Sequence, residues 1–260
     1  MRGPDQANPI LEGAPMSVEP FFYQSIDLPD GEFHSGQWDH RATTDVYLGY
    51  TNFRDKTVLD VGPGSGFWTF EMERRGADVT AIELGETDEW DIVPHGGSAP
   101  TGAMSAAVAG IQSAFWYSHA KLNSKAKVVR GSAYDAPRLV RPADIAMLGN
   151  ILQHLRDPFL AVERVARVTR ERLIVSETLW IHDEAFLRST MMHFFPRAAA
   201  PQTDHSWYQV SPTLVKEWMK ILGFPNPVVT LHEQQFNGTP TDPHPRKVKH
   251  FTCVGVRGEE

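Results

Sequence analysis

The stretch Val58-Leu59-Asp60-Val61-Gly62-Pro63-Gly64-Ser65-Gly66 decides how this chain is read. An apolar strand runs into G-x-G-x-G, and a helical segment, GFWTFEMERRG (66–76), follows and closes on Gly76. Glycines let the backbone turn tightly and come close to a ligand, with the helix N-terminus behind the turn. The next segment, DVTAIEL (78–84), reads as a second strand and carries Glu83 at its end, 21 residues after Gly62. A carboxylate at that place can accept hydrogen bonds from a ribose diol.

Outward from this unit the alternation continues. Strands are expected at 125–131, 143–150, 172–178, 227–233 and 249–256, with helices ending near Leu122 and spanning 159–168 and 214–223. Strands alternating with helices argue an α/β fold with a mostly parallel sheet covered on both faces. The last two strands have no helix between them and should form an antiparallel pair at one edge. The expected sheet has seven strands, six parallel and one antiparallel. Residues 1–18 are rich in Gly, Pro, Asn and Gln and read as a flexible leader. Residues 19–50 are aromatic (Phe21, Phe22, Tyr23, Phe33, Trp38, Tyr47, Tyr50) and are expected to form a lid over the domain at 51–260.

Composition narrows the function classes. The chain has 260 residues, 41% hydrophobic and 22% charged, as in globular proteins. No apolar run reaches the ~18 residues of a membrane span, and 1–15 has no apolar signal-peptide core. A single cysteine, Cys253, excludes an internal disulfide and a thiolate-rich zinc site. The cytoplasm is the default location. With 25 Lys+Arg against 32 Asp+Glu the net charge is −7, which favours a small-molecule partner over nucleic acid.

A dinucleotide fingerprint would place its third glycine at 67, which is Phe67. A nicotinamide oxidoreductase is thereby disfavoured. The pattern D-x-G-x-G-x-G, from Asp60 to Gly66, resembles motif I of the class I S-adenosylmethionine-dependent methyltransferases, a Rossmann-like fold. That resemblance implies a cofactor loop of Asp60, Gly62, Pro63, Gly64, Ser65 and Gly66, with Glu83 and Leu84 at the ribose. It further implies Ser132, Ala133 and Tyr134 beside the adenine and Gly149 and Asn150 at the mouth of the site. Closer still, LGNILQHLRDPF, LIVSETLWI and YQVSPTLVKEWMKILGF resemble the catalytic domain of the tRNA wobble-uridine (carboxy)methyltransferases and their small-molecule relatives. The tRNA enzymes carry a further N-terminal region, where this chain has a short leader. The lysine and arginine with which they hold a carboxylated cofactor have no match here.

Candidates for the acceptor side follow strands four and five. His154 can face the acceptor as a base, or pack before Asp157. Glu177 can take a proton, or pair with an arginine. His182-Asp183-Glu184 can ligate a divalent cation or simply start a helix; no metal is expected. Trp207 and Tyr208, after His205, can stack on a planar acceptor or fill core. Tyr23, His34, Trp38 and Arg41 are candidates for the lid. Arg164, Arg167, Arg170 and Arg172 read as a solvated helix face. The function expected is methyl transfer from S-adenosylmethionine to a small metabolic or natural-product acceptor, leaving S-adenosylhomocysteine. The alternatives are a tRNA-modifying enzyme, favoured by a basic face beside the cleft, and a non-catalytic cofactor-binding regulator, favoured by a closed acceptor side. Neither the acceptor, the methylated atom nor the oligomeric state is legible.

Overall fold

The protein is described here by a computed structural model covering residues 18–85, 91, 102–196, 206–239 and 243–258, with only the backbone of 102–105. The leader up to residue 17, most of the HGGSAPTG loop and His205 lie outside the described residues.

The N-terminal segment holds three two-residue strands, β1 (Ile26–Asp27), β2 (Phe33–His34) and β3 (Trp38–Asp39), and a short helix α1 (Thr44–Tyr47). Then come β4 (Thr57–Val61), α2 (Phe67–Arg74), β5 (Asp78–Glu83), α3 (Gly102–Lys121), β6 (Lys127–Arg130), α4 (Ala136–Leu139) and β7 (Ala143–Gly149). They are followed by α5 (Pro158–Arg167), β8 (Thr169–Thr178), α6 (Glu184–Arg188), β9 (Met192–Phe194), β10 (Tyr208–Val210), α7 (Pro212–Ile221), β11 (Val228–Phe236) and β12 (Arg246–Val256).

The central sheet has the order β3-β11-β12-β8-β7-β4-β5-β6. Strands β4 to β8 pair in parallel. Strand β12 runs against both β8 and β11, so β11 points the common way again. The seven expected strands are all present, six in one direction and one reversed. The reversed strand is inserted between β8 and β11 rather than lying outermost. An eighth strand was not legible: β3 pairs with the end of β11 through Asp39–Gln235 and Trp38–Phe236. It covers part of an edge that would otherwise offer unpaired backbone groups.

Local signals explain the boundaries. Asp157 accepts the Leu160 N–H at 3.0 Å and Pro158 opens α5, while Ser211 accepts the Leu214 N–H at 3.1 Å ahead of Pro212 in α7. In β4, Val58 enters one core layer while Leu59 and Val61 enter the other, the two-residue period of a strand buried on both faces. One layer packs α5 and α7 on the sheet through Val162, Val165, Trp218 and Met219. The other packs α2 and α3, and it takes in Phe22, Ile26, Leu28, Tyr47 and Leu48 from the N-terminal segment. Truncating a fully buried aromatic such as Phe251 should cost about 3–5 kcal/mol. The N-terminal segment is thus built into the same core as the sheet.

Candidate active site

A cavity of about 1140 Å³ lies across the carboxyl ends of the strands, from Glu83 and Ser132 beyond β5 and β6 to Trp38 and Phe236 on β3 and β11. Open α/β sheets bind ligands in this crevice.

At one end stands the glycine loop. Gly62, Gly64 and Gly66 have φ of 73°, 58° and 92°, a region closed to most side chains. A Cβ on Gly62 would meet Ile151 Cγ2 at 2.7 Å, and one on Gly66 would meet the rings of Phe70 and, at 2.7 Å, Phe115. A Cβ on Gly64 would meet the Gln24 amide at 3.3 Å. These glycines make room for the protein's own neighbours as well as for the turn. Ser65 is buried and faces Gln24: its N–H donates to Gln24 Oε1 at 3.1 Å, and the Gln24 N–H donates to Ser65 Oγ at 3.0 Å. Asp60 is buried below the loop and accepts from Thr69 Oγ1 at 2.5 Å. Burial raises its pKa to about 6.

Glu83 lines the cavity and accepts the Leu84 N–H at 2.8 Å, with a further backbone bond from Gly64. Burial raises its pKa to about 7, against those backbone bonds. Ser132 caps the following turn by accepting the Tyr134 N–H at 3.3 Å. The Tyr134 hydroxyl donates to Asp91 at 2.5 Å, and Asp91 also takes the Arg156 N–H at 2.6 Å and its guanidinium. The Asp91 carbonyl accepts from Trp207 Nε1 at 2.6 Å. Asp91 therefore ties four segments together over this end, and nothing in its sequence surroundings singled it out.

Asn150 holds the middle, in the left-handed region at φ 59°. Its Oδ1 accepts from Thr178 N–H and hydroxyl at 3.0 and 2.7 Å, and it bonds Tyr23. Beneath it Glu177 accepts the Leu152 N–H at 2.8 Å and those of Ile151 and Gln153. Burial raises its pKa to about 8, because three N–H donors do not outweigh the loss of water.

The far end is aromatic. Tyr23, Trp38, His40, Tyr47, Trp68, Phe236 and His250 line it. Trp38 Nε1 donates to the Tyr23 hydroxyl at 3.1 Å, and Tyr47 stacks on Trp68 with centroids 4.0 Å apart. Burial lowers the pKa of His40 and His232 to about 4 and of His250 to about 3.

Of the expected cofactor residues, Gly62, Gly64, Glu83, Leu84, Ser132, Ala133, Tyr134, Gly149 and Asn150 line the cavity; Asp60, Pro63, Ser65 and Gly66 are buried and do not line it. Of the expected acceptor-side residues that are described, only His154 lines it. Glu177 is spent on the 151–153 turn, and Trp207 is buried with its N–H on Asp91. Tyr208 packs on Phe194 at 5.4 Å. His182 is exposed, and Asp183 caps α6 by accepting the Phe186 N–H at 3.0 Å, the helix-start reading of that run. Among the described residues, no three His, Cys, Asp or Glu side chains gather as a metal site. Tyr23 and Trp38 line the cavity; His34 stacks on Phe22 instead, and Arg41 pairs with Asp39 and Asp27. Sequence reasoning missed His40, Gln24 and His250. Only the strand register, which brings β3, β11 and β12 together, makes them neighbours of the site.

The sequence profile of a family described as a methyltransferase domain matches residues 39–226. An uncharacterized methyltransferase of Mycobacteroides abscessus is 26% identical over 157 residues, 60% of this chain and 51% of that protein. A ubiquinone biosynthesis O-methyltransferase of Psychrobacter arcticus is 28% identical over 125 residues, 48% of this chain and 39% of that protein. The chain spans about half or less of the length of these curated relatives. Among solved structures, the 1,6-didemethyltoxoflavin-N1-methyltransferase of Burkholderia thailandensis, crystallised with 1,6-didemethyltoxoflavin and S-adenosylhomocysteine, shares the fold. Its TM-score is 0.52 at 15% identity, covering 84% of this chain and 78% of that one.

Proposed function

Because this chain belongs to the methyltransferase-domain family, we propose that it moves a methyl group from S-adenosylmethionine to a small organic acceptor. The observation that carries this reading is the continuity of the cavity. Among the described residues, one cavity is lined both by an acidic strand end beside a glycine loop and by an aromatic chamber. The first part fits the cofactor: Glu83 offers carboxylate oxygens to a ribose diol, and Ala133 and Tyr134 line the cavity beside the place of an adenine. Gly62 and Gly149 line it at the β4 and β7 ends, beside the place of the amino-acid part.

When bound, S-adenosylmethionine supplies a methyl group already activated on a sulfonium. The chain's own task is to hold an acceptor in line with that carbon and to keep water out. Tyr23, Trp38, Tyr47 and Trp68 supply flat apolar surface for a ring. Asn150, fixed by Thr178, sits where the two parts meet.

The regulator reading would favour a closed acceptor side, and the chamber is open to the cofactor end. For the tRNA reading, Arg156 is the one Lys or Arg among the described cavity residues, and it is bonded to Asp91. Six to ten phosphate contacts call for more cations than that.

Titration calorimetry tests the proposal. S-adenosylmethionine and S-adenosylhomocysteine should bind, and Glu83→Ala should weaken both by about 1–3 kcal/mol, the range for a lost bond to a charged group. Binding of a nicotinamide dinucleotide in preference to the sulfonium would sink it.

A further inference from the structure

His40 sits in the aromatic chamber with its hydrogen-bonding state set by a chain of partners that reaches back into the sheet. Thr252 Oγ1 lies 3.0 Å from both the Tyr47 carbonyl and Ser176 Oγ and donates to one of them, which commits its one hydrogen. His232 Nε2, 3.0 Å from that oxygen, must then be the donor, so Nδ1 of His232 is a bare acceptor. Gln234 Nε2, 2.9 Å from that Nδ1, donates to it, and this fixes which way the amide points. Gln234 Oε1 consequently faces His40 Nδ1 at 2.7 Å and the Thr43 hydroxyl at 2.6 Å, and accepts from both. His40 therefore carries its proton on Nδ1. Its Nε2 is a lone pair with no protein partner among the described residues, on a ring that lines the cavity. The Nδ1 edge is tied to β11, so the Nε2 edge is what the ring offers to a ligand.

We propose that His40 Nε2 is the base that receives the proton of the acceptor's hydroxyl or ring N–H during methyl transfer, and that Gln234 is the positioning residue that holds it in the required tautomer. This rests on the methyltransferase reading. The acceptor class follows from the walls. Tyr47, 5.1 Å from His40 between centroids, places its hydroxyl near the Gly149 end of β7, so the wall of the chamber runs from His40 to the end proposed for the cofactor. The chamber presents uncharged rings and amides. It suits an uncharged planar aromatic or heteroaromatic compound bearing an acidic O–H or N–H. In the step, the acceptor's oxygen or nitrogen forms a bond to the methyl carbon while the carbon–sulfur bond breaks and the sulfur keeps that electron pair. The acceptor's proton passes to Nε2, and water later removes it.

The titratable neighbours are consistent with a neutral ring at rest. Asp39 on β3 favours the charged form, His232 on β11 opposes it, and Tyr47 on α1 and His250 on β12 lie beside it. Burial dominates and holds the lone pair free at neutral pH.

The test uses the full chain labelled with 15N-histidine, saturated with S-adenosylhomocysteine, and two probes: 4-nitrophenol and its methyl ether, 4-nitroanisole. The His40 signals are assigned with His40→Gln or, should that variant not fold, by the response of the ring to Gln234→Leu. Expected is a protonated Nδ1 and a bare Nε2, with Nε2 alone shifting toward the hydrogen-bonded value on adding nitrophenol and staying put with nitroanisole. His40→Gln should weaken nitrophenol binding about tenfold, the loss of one hydrogen bond to an acidic donor, and leave nitroanisole within about twofold. A proton on Nε2, a nitrophenol shift at His154 instead of His40, equal loss of both probes, or no binding of nitrophenol would each overturn the proposal. Failure of S-adenosylhomocysteine itself to bind would instead overturn the methyltransferase reading.

Discussion

Residues 58–66 and Glu83 hold one end of the cavity; residues 23–47 and 232–251 hold the other. The first end is one strand, one turn and the tip of the next strand. Its shape comes from backbone: three glycines at positive φ and a carboxylate fixed by backbone N–H groups. The second end is side chains brought from both halves of the chain by the pairing of β3 with β11 and β11 with β12. A backbone cradle tolerates few residue types at its turns. A side-chain chamber tolerates many, provided each buried polar group finds a partner.

That contrast can be broken first at Gly66. Overpacking against Phe70 and Phe115 adds about 1–3 kcal/mol, and a branched side chain at φ 92° about the same again, so Gly66→Val should lose about 2–6 kcal/mol in denaturant unfolding. Gly31 has a similar φ of 77° but open space around its Cβ position, so Gly31→Ala should lose only about 1–2 kcal/mol. Equal losses would mean that backbone strain, not packing, governs the cradle. At the other end, Gln234→Leu keeps the volume and deletes the polar relay. It strands His40 Nδ1–H and His232 Nδ1, while the Thr43 hydroxyl keeps the His40 carbonyl, and should cost about 1–3 kcal/mol in the same measurement. A neutral outcome would show that the relay is wet, contrary to the complete burial of Gln234.

The same contrast explains what the sequence could show. Motif I, Glu83 and the seven main strands are written in contiguous residues, since a turn or a strand end is a local event. The chamber is not. His40 and Gln234 are 194 positions apart, and no spacing rule links them. Glu177 looked reactive because it ends a strand beside the site, yet its oxygens are taken by the 151–153 turn, a role visible only once the backbone is placed. Trp207 and Tyr208 looked like a stacking pair. Both rings lie beside Phe194 instead, and the Trp207 N–H is bound to the Asp91 carbonyl.

Charge divides the two ends as well. Asp60, Glu83 and Glu177 have pKa values raised by burial to about 6, 7 and 8, from ordinary values of 3.8, 4.5 and 4.5. The folded chain keeps protons that the unfolded chain has released, so their contribution is full below the ordinary values and is lost as pH climbs through 6 to 8. His40, His232 and His250 are lowered from 6.5 to about 4, 4 and 3, so their contribution is full above 6.5 and is lost as pH falls through 4. Between about pH 4 and 6.5 the two ends oppose each other; above 6.5 only the carboxyls act. The urea midpoint of the cofactor-free protein should therefore fall from pH 6.5 to 8.5, and Glu177→Gln should flatten that fall. A midpoint that rises over this interval would contradict the raised pKa values of Glu83 and Glu177.

The smallest effect is expected where the ends are joined. Gln24 comes from the N-terminal segment, next to Tyr23 of the chamber, and its amide and N–H hold Ser65 of the glycine loop through two backbone donors. Gln24→Ala removes the amide and keeps the bond from its own N–H. The amide oxygen accepts both the Ser65 N–H and its hydroxyl; because Gln24 lines the cavity, water can take both freed donors, so the net loss should be about 1 kcal/mol or about fivefold in S-adenosylhomocysteine affinity. Gly64→Ala should cost affinity by a similar amount, partly from φ and partly from crowding the same amide at 3.3 Å. In the double variant the crowding disappears and the strain stays. The two losses should then sum to slightly more than the combined effect, by under about 0.5 kcal/mol in a double-mutant cycle. Strict additivity would mean that Gln24 rests on the loop without bearing on it, and that the two ends respond to ligands separately. A coupling above about 1.4 kcal/mol, tenfold in affinity, would mean the opposite: that the chamber's N-terminal wall and the cofactor loop move as one piece.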